Sequence, residues 1–305
     1  MRAAWRVVVP ILVLASWASL VAAACGDDDA STTPPTTTPA PVPTTVAMTS
    51  SVVPARPAPA GRMIVARGLL LGWWDGSTWR RVPEAVADGA ALPLQAGARY
   101  TFVSVDGQRV DAALGSGTSE CIEPDVPVFV EVPEEVRDLL GVASDVEPWP
   151  RPVETVAAAE AHRDAVRSWL RDEGLQDPEV VVQRVVQVDL DGDGTPEELI
   201  EASRITEPSL LDEPVGDYAV VLLRRPADGA SELVRGDVVS QAEAEAESFP
   251  GFLETAELLA VADVDGDTRL EVAVATAYYE GRGVALFTWS LQGGLTEVLA
   301  AGCGA

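Results

Sequence analysis

The feature that most constrains this chain is an internal repeat: an Asp-rich loop between two apolar runs occurs twice, 74 residues apart. In the first copy the run Val180 to Val188 leads into Asp189-Leu190-Asp191-Gly192-Asp193-Gly194-Thr195-Pro196-Glu197, and Leu199 and Ile200 open the next run. In the second, Leu258 to Ala262 leads into Asp263-Val264-Asp265-Gly266-Asp267-Thr268-Arg269-Leu270-Glu271, followed by Val272 to Ala277. Short β-branched runs bounded by turn residues predict strands. Further runs follow each loop, Tyr218 to Leu223 and Leu233 to Val239 in the first copy, Val284 to Leu291 and Leu295 to Ala300 in the second. The expectation is four antiparallel strands per copy.

The loops carry chemistry as well as a turn. A hard cation such as calcium takes six to eight oxygens at about 2.3–2.6 Å. Carboxylates at alternate positions of a tight loop converge on one point where glycine lets the backbone turn between them. Asp189, Asp191 and Asp193 have that spacing, as do Asp263, Asp265 and Asp267, with Gly192 and Gly266 at matched places. Thr195 and Arg269 would each add a backbone carbonyl, and Glu197 and Glu271 a further carboxylate. An EF-hand begins in the same way but requires an acid at its twelfth position and helices on both sides. Ile200 and Val274 stand at that position here, and the flanks are strand-like. The pattern instead resembles the calcium loops of FG-GAP and VCBS-type repeats, the integrin-like β-propeller blades. That resemblance covers about residues 178–300 and implies two Ca2+ sites between strands. The second loop departs from it by carrying Thr268 where glycine is usual, a residue ill suited to a left-handed backbone angle. Only two blade-like units are visible, so a complete propeller is not expected. The fold class expected is mainly β with one or two helices (α+β), two blade-like antiparallel units preceded by a small β-rich unit.

That first unit, residues 61–150, contains β-like runs at Met63 to Leu71, Arg99 to Val105 and Val126 to Val132, with turn signals at Asp75-Gly76 and Asp106-Gly107. Trp73, Trp74 and Trp79 flank the first turn and are expected in hairpin or core packing rather than as a sugar platform. The Pro-rich stretch Glu147 to Pro152 reads as a boundary, opening a second unit at 151–305. A helix is predicted from an N-cap at Thr155 to about Asp172, ended by Gly174. His162, the only histidine, lies on it in line with Ala158, Ala165 and Trp169, and is expected to pack beside the core.

The N-terminus carries an address. Arg2 and Arg6, an apolar run from Val7 to Leu20, and Ala22-Ala23-Ala24 before Cys25 have the three-part layout of an export signal at residues 1–24. Ala22 to Cys25 resembles a bacterial lipobox, although leucine is usual where Ala22 stands; the resemblance implies a lipidated Cys25. An ordinary secretory signal cut at the same alanines is the alternative. Residues 25–60, Asp-rich and then rich in Thr and Pro, have the composition of a tether that cannot bury a core. Such a start resembles lipoproteins of high-GC Gram-positive (actinobacterial) type, anchored to the outer face of the cytoplasmic membrane and facing the cell wall.

The chain contains neither Lys nor Asn, and its net charge of −27 becomes −29 once Arg2 and Arg6 leave with the signal. Nucleic acid is therefore not expected as a partner. With Cys25 set aside for lipid, Cys121 and Cys303 remain as a disulfide pair or as two free thiols. No nucleophile elbow, zinc pattern or phosphate-binding glycine loop occurs. The function expected is that of a monomeric, non-catalytic surface lipoprotein whose calcium-stabilised repeats hold the fold or present a cell-wall or extracellular ligand. The alternative is an extracytoplasmic hydrolase or accessory acting on cell-wall glycans through a carboxylate pair.

Overall fold

The computed structural model describes residues 61–82, 94–119, 128–206, 214–240, 253–278 and 280–304. The expected signal, the lipidation residue Cys25, the tether and Cys121 lie outside these residues. All described residues belong to one compact unit, Arg56–Ala305. Among them no helix is long and apolar enough to cross a membrane.

Among the described residues the fold is mainly β with one α-helix and antiparallel sheets, none closed into a barrel. The first sheet has eight strands: β1 (Arg62–Ala66), β2 (Leu69–Trp74), β3 (Trp79–Arg81), β4 (Arg99–Val103), β5 (Arg109–Ala113), β6 (Gly117–Ser119), β7 (Val128–Val130) and β8 (Leu140–Ala143). Its order is β5-β4-β8-β1-β2-β7-β6, with β3 beside β2. The second sheet contains β9 (Val153–Val156), β10 (Val182–Val188), β11 (Glu197–Arg204), β12 (Tyr218–Arg224) and β13 (Ser231–Val238), in the order β13-β12-β11-β10-β9. The third is a meander of β14 (Thr255–Ala262), β15 (Glu271–Tyr278), β16 (Gly281–Ser290) and β17 (Gly294–Gly304). Among the described residues the α-helix, α1, spans Glu160–Asp172.

Side-chain alternation assigns every sheet face. On β15, Ala273 and Ala275 join a core shared with Ile64, Leu71 and Val142 of the first sheet. Val272 and Val274, on the opposite face, join a core shared with Val186, Leu199 and Val221 of the second. The third sheet is therefore the middle layer, which explains its near-continuous apolar runs: both faces are withdrawn from water. The outer face of the second sheet packs Ile200, Val220 and Leu222 against Val166 and Leu170 of α1. The outer face of the first sheet carries its own core around Met63, Phe102 and Leu139. Trp73 is buried there, while Trp74 and Trp79 stack at a tilt with centroids 5.0 Å apart.

Two local expectations need correction. The run Met63 to Leu71 is a hairpin rather than one strand. Arg67 (φ 50°) and Gly68 (φ 74°) both adopt left-handed angles, as a two-residue primed turn requires, and Ala66 pairs with Leu69. The helix begins at Glu160 with Ala159 as N-cap, and Thr155 is in a strand instead. Val153–Val156 takes the free edge of β10, pairing Thr155 with Val186, so sheet hydrogen bonds outcompete the helical pattern there. As expected, His162 packs beside the core: it is buried on α1 with Val166 and Leu170, and Ala158, Ala165 and Trp169 pack against the same cluster. Its Nδ1 accepts the Ala159 N–H at 2.8 Å, which leaves the proton on Nε2, 3.2 Å from the Glu198 carboxylate that Arg224 also donates to at 2.5 Å. It caps the helix and ties it to the second sheet.

The Pro-rich stretch Glu147 to Pro152 runs along the buried edge of the middle sheet. Pro148 O accepts the Asp263 N–H at 2.9 Å, and Trp149 Nε1 donates to Val261 O at 2.9 Å. These bonds bring residue 151 to the first Asp loop.

Candidate metal centre

Both Asp-rich loops are β-hairpin connections, the first between β10 and β11, the second between β14 and β15. Each folds through the same five hydrogen bonds from backbone N–H to carboxylate. In the first loop Asp189 accepts from Gly192 (2.7 Å) and Gly194 (3.1 Å), Asp191 from Asp193 (3.2 Å), Asp193 from Thr195 (2.6 Å), and Glu197 from Leu190 (3.0 Å). In the second Asp263 accepts from Gly266 (2.6 Å) and Thr268 (2.9 Å), Asp265 from Asp267 (2.9 Å), Asp267 from Arg269 (2.7 Å), and Glu271 from Val264 (3.0 Å). Side chains of Leu190 and Val264 enter the core and fix each loop's depth.

Gly192 and Gly266 both sit at φ 81°. At the position of the second glycine, Gly194 has φ 89° and Thr268 φ 75°. The angle at Thr268 puts a β-branched residue in the left-handed region, so the loop keeps its shape against local strain.

Not every expected residue converges. Oxygens of Asp189, Asp191 and Glu197 lie within 4.8 Å of one another, as do those of Asp263, Asp265 and Glu271; either cluster could hold a metal ion. Asp193 and Asp267 are outside these sets and support the turn by accepting the amides of Thr195 and Arg269. The second cluster is the deeper: Asp263, Asp265 and Glu271 are all buried, whereas in the first only Glu197 is.

Burial and mutual repulsion make the charged forms unfavourable. Burial, reinforced by Asp191, Asp193 and Asp189, raises Glu197 to about 7, against the Leu190 amide that favours its charge. Burial likewise raises Asp265 to about 6, lifts Asp263, and pushes Glu271 well above the usual carboxylate range. A cation at the point of convergence would reverse both causes by supplying opposite charge and oxygen ligation. The donors are all hard oxygens, with no nitrogen or sulfur, which suits a hard divalent ion and not a soft one.

Sequence spacing missed the two arginines that hold the loops from outside. Arg151 donates to Asp189 O (2.8 Å) and Leu190 O (3.1 Å), and its guanidinium lies 3.6 Å from the Asp189 carboxylate. Arg62 donates to Asp265 O and approaches Asp145 at 3.4 Å. Each guanidinium lies over the matched glycine: a Cβ on Gly192 would sit 2.9 Å from Arg151 Nη1, and one on Gly266 would collide with Arg62 Nη1. Arg62 is 203 residues from its acceptor, so no local pattern reveals the pairing.

Cys303 is disulfide-bonded. The other two cysteines, Cys25 and Cys121, both lie outside the described residues.

Fold and site together define a stacked-sheet α+β protein with paired acidic hairpin loops able to hold metal ions. Comparison with family models, with curated protein sequences and with solved structures gives no match.

Proposed function

We propose that this chain is a surface lipoprotein, anchored through Cys25 to the outer face of the cytoplasmic membrane, whose β repeats are stabilised by calcium at two hairpin loops. Its role is non-catalytic, holding a rigid binding face toward the cell wall or an extracellular ligand. The observation that carries this reading is the matched pair of carboxylate clusters, each within 4.8 Å, in loops with the same five-bond frame. Buried carboxylates placed this close destabilise a fold unless a cation offsets them. Calcium fits the all-oxygen donor set and the water-reachable rim formed by the exposed residues of each loop. An oxidising exterior suits the disulfide at Cys303.

In this reading calcium binds the folded chain and not the unfolded one, so stability rises with its concentration, by about 2.7 kcal/mol per site at a hundredfold excess over Kd. The test is the melting temperature of the full chain in millimolar calcium and in chelator. Equal temperatures would sink the calcium reading. For the anchor, metabolic labelling with a radioactive fatty acid should mark the wild type and not Cys25→Ser; unlabelled wild type would overturn it.

A further inference from the structure

The two loops are not independent. Leu270 N donates to Leu190 O at 2.9 Å, a direct backbone bond from the second loop to the first. Leu190 is the residue whose own N–H is held by Glu197, and Leu270 immediately precedes Glu271. Both leucines are fully buried in the core between the second and third sheets, so the bond is shielded from competing water. A second link runs through the strap Pro148 to Arg151. Its first residue accepts the amide of Asp263, and its last donates to the carbonyls of Asp189 and Leu190. The leading aspartate of each loop is thus fastened to the same four-residue segment.

We infer that the two loops bind divalent cations cooperatively, coupled by the Leu270–Leu190 bond and by the strap, with Arg151 as its positioning residue. The inference rests on the metal reading above. An ion at the first loop fixes Asp189, Asp191 and Glu197. That fixes Leu190 O, the acceptor shared by Leu270 and Arg151. The ordered strap and Leu270 then hold Asp263 and Glu271 in place, so the second ion orders less of its own site. Two dications also repel, but the three clustered carboxylates at each loop offset the charge of its ion.

The experiment is calorimetric titration of the metal-free full chain with calcium chloride. Wild type is compared with Asp191→Asn/Glu197→Gln and Asp265→Asn/Glu271→Gln, each of which leaves one loop intact. The product of the two wild-type dissociation constants should be smaller than the product of the two single-loop constants, by about fivefold or more. Arg151→Met keeps both carboxylate sets and should bring that ratio toward one. If a crippled variant fails to fold, the wild-type isotherm alone still decides, because cooperative sites give a steeper saturation curve than independent ones. A ratio of one, or tighter binding at one loop after the other is crippled, overturns the coupling and leaves the metal reading standing. No calcium binding by the wild type overturns both.

Discussion

Replacing Glu197 by glutamine should change stability in opposite directions with and without calcium. Glu197 is 3% exposed, and its carboxylate is raised to about 7 by burial and by its three aspartate neighbours. In the unfolded chain it titrates near the ordinary 4.5. The folded, metal-free state therefore holds the proton more tightly. The stabilisation that proton confers is fully present below about 4.5 and is lost as pH rises through about 7. Each tenfold change in proton affinity is worth about 1.4 kcal/mol, so ionised Glu197 costs the metal-free fold about 3 kcal/mol at pH 8. Glutamine can still accept the Leu190 amide and carries no charge. Metal-free Glu197→Gln should thus be more stable than metal-free wild type at pH 8, by up to about 3 kcal/mol, and no more stable at pH 4. In saturating calcium the order reverses, because the variant loses a charged ligand and with it part of the binding free energy. Urea unfolding in chelator and in millimolar calcium, at both pH values, reads all four cases. A variant less stable than wild type in chelator at pH 8, or a difference that ignores calcium, would refute the reasoning.

Further outcomes follow from single positions. Thr268→Gly should relieve the left-handed angle and stabilise the chain by about 1 kcal/mol, measured by denaturant midpoint, while Gly194→Thr should destabilise it by a similar amount. Cys303→Ser removes a disulfide and should cost about 2–5 kcal/mol, with wild type in reductant moving the same way in a thermal melt. His162→Ala removes the helix cap and a buried partner of Glu198, and should cost about 1–3 kcal/mol by urea unfolding; an unchanged midpoint would show that neither bond matters.

Features that depend on neighbours along the chain could be read from the residues alone. The two loops were legible because their turn, aspartates and glycines occupy nine consecutive positions, and the same order of residues produced the same five hydrogen bonds twice. Strand positions in both repeats followed from short apolar runs, and Gly174 does close the helix at φ 99°. Thr268 announced its own strain. The remaining features depend on groups far apart in sequence. Thr155 left the helix because β10 offered a free edge, a partner no local pattern displays. Only stacking showed that the last repeat is the middle layer, buried on one face by the first sheet and on the other by its sister repeat. Carboxylates at alternate positions were expected to converge together, yet the groups within 4.8 Å are Asp189, Asp191 and Glu197, and Asp263, Asp265 and Glu271, a selection that only the folded loop makes. The arginine over each loop and the Leu270–Leu190 bond were invisible for the same reason: hydrogen bonds are set by distance in space, and folding brings these residues together across 38 to 203 positions.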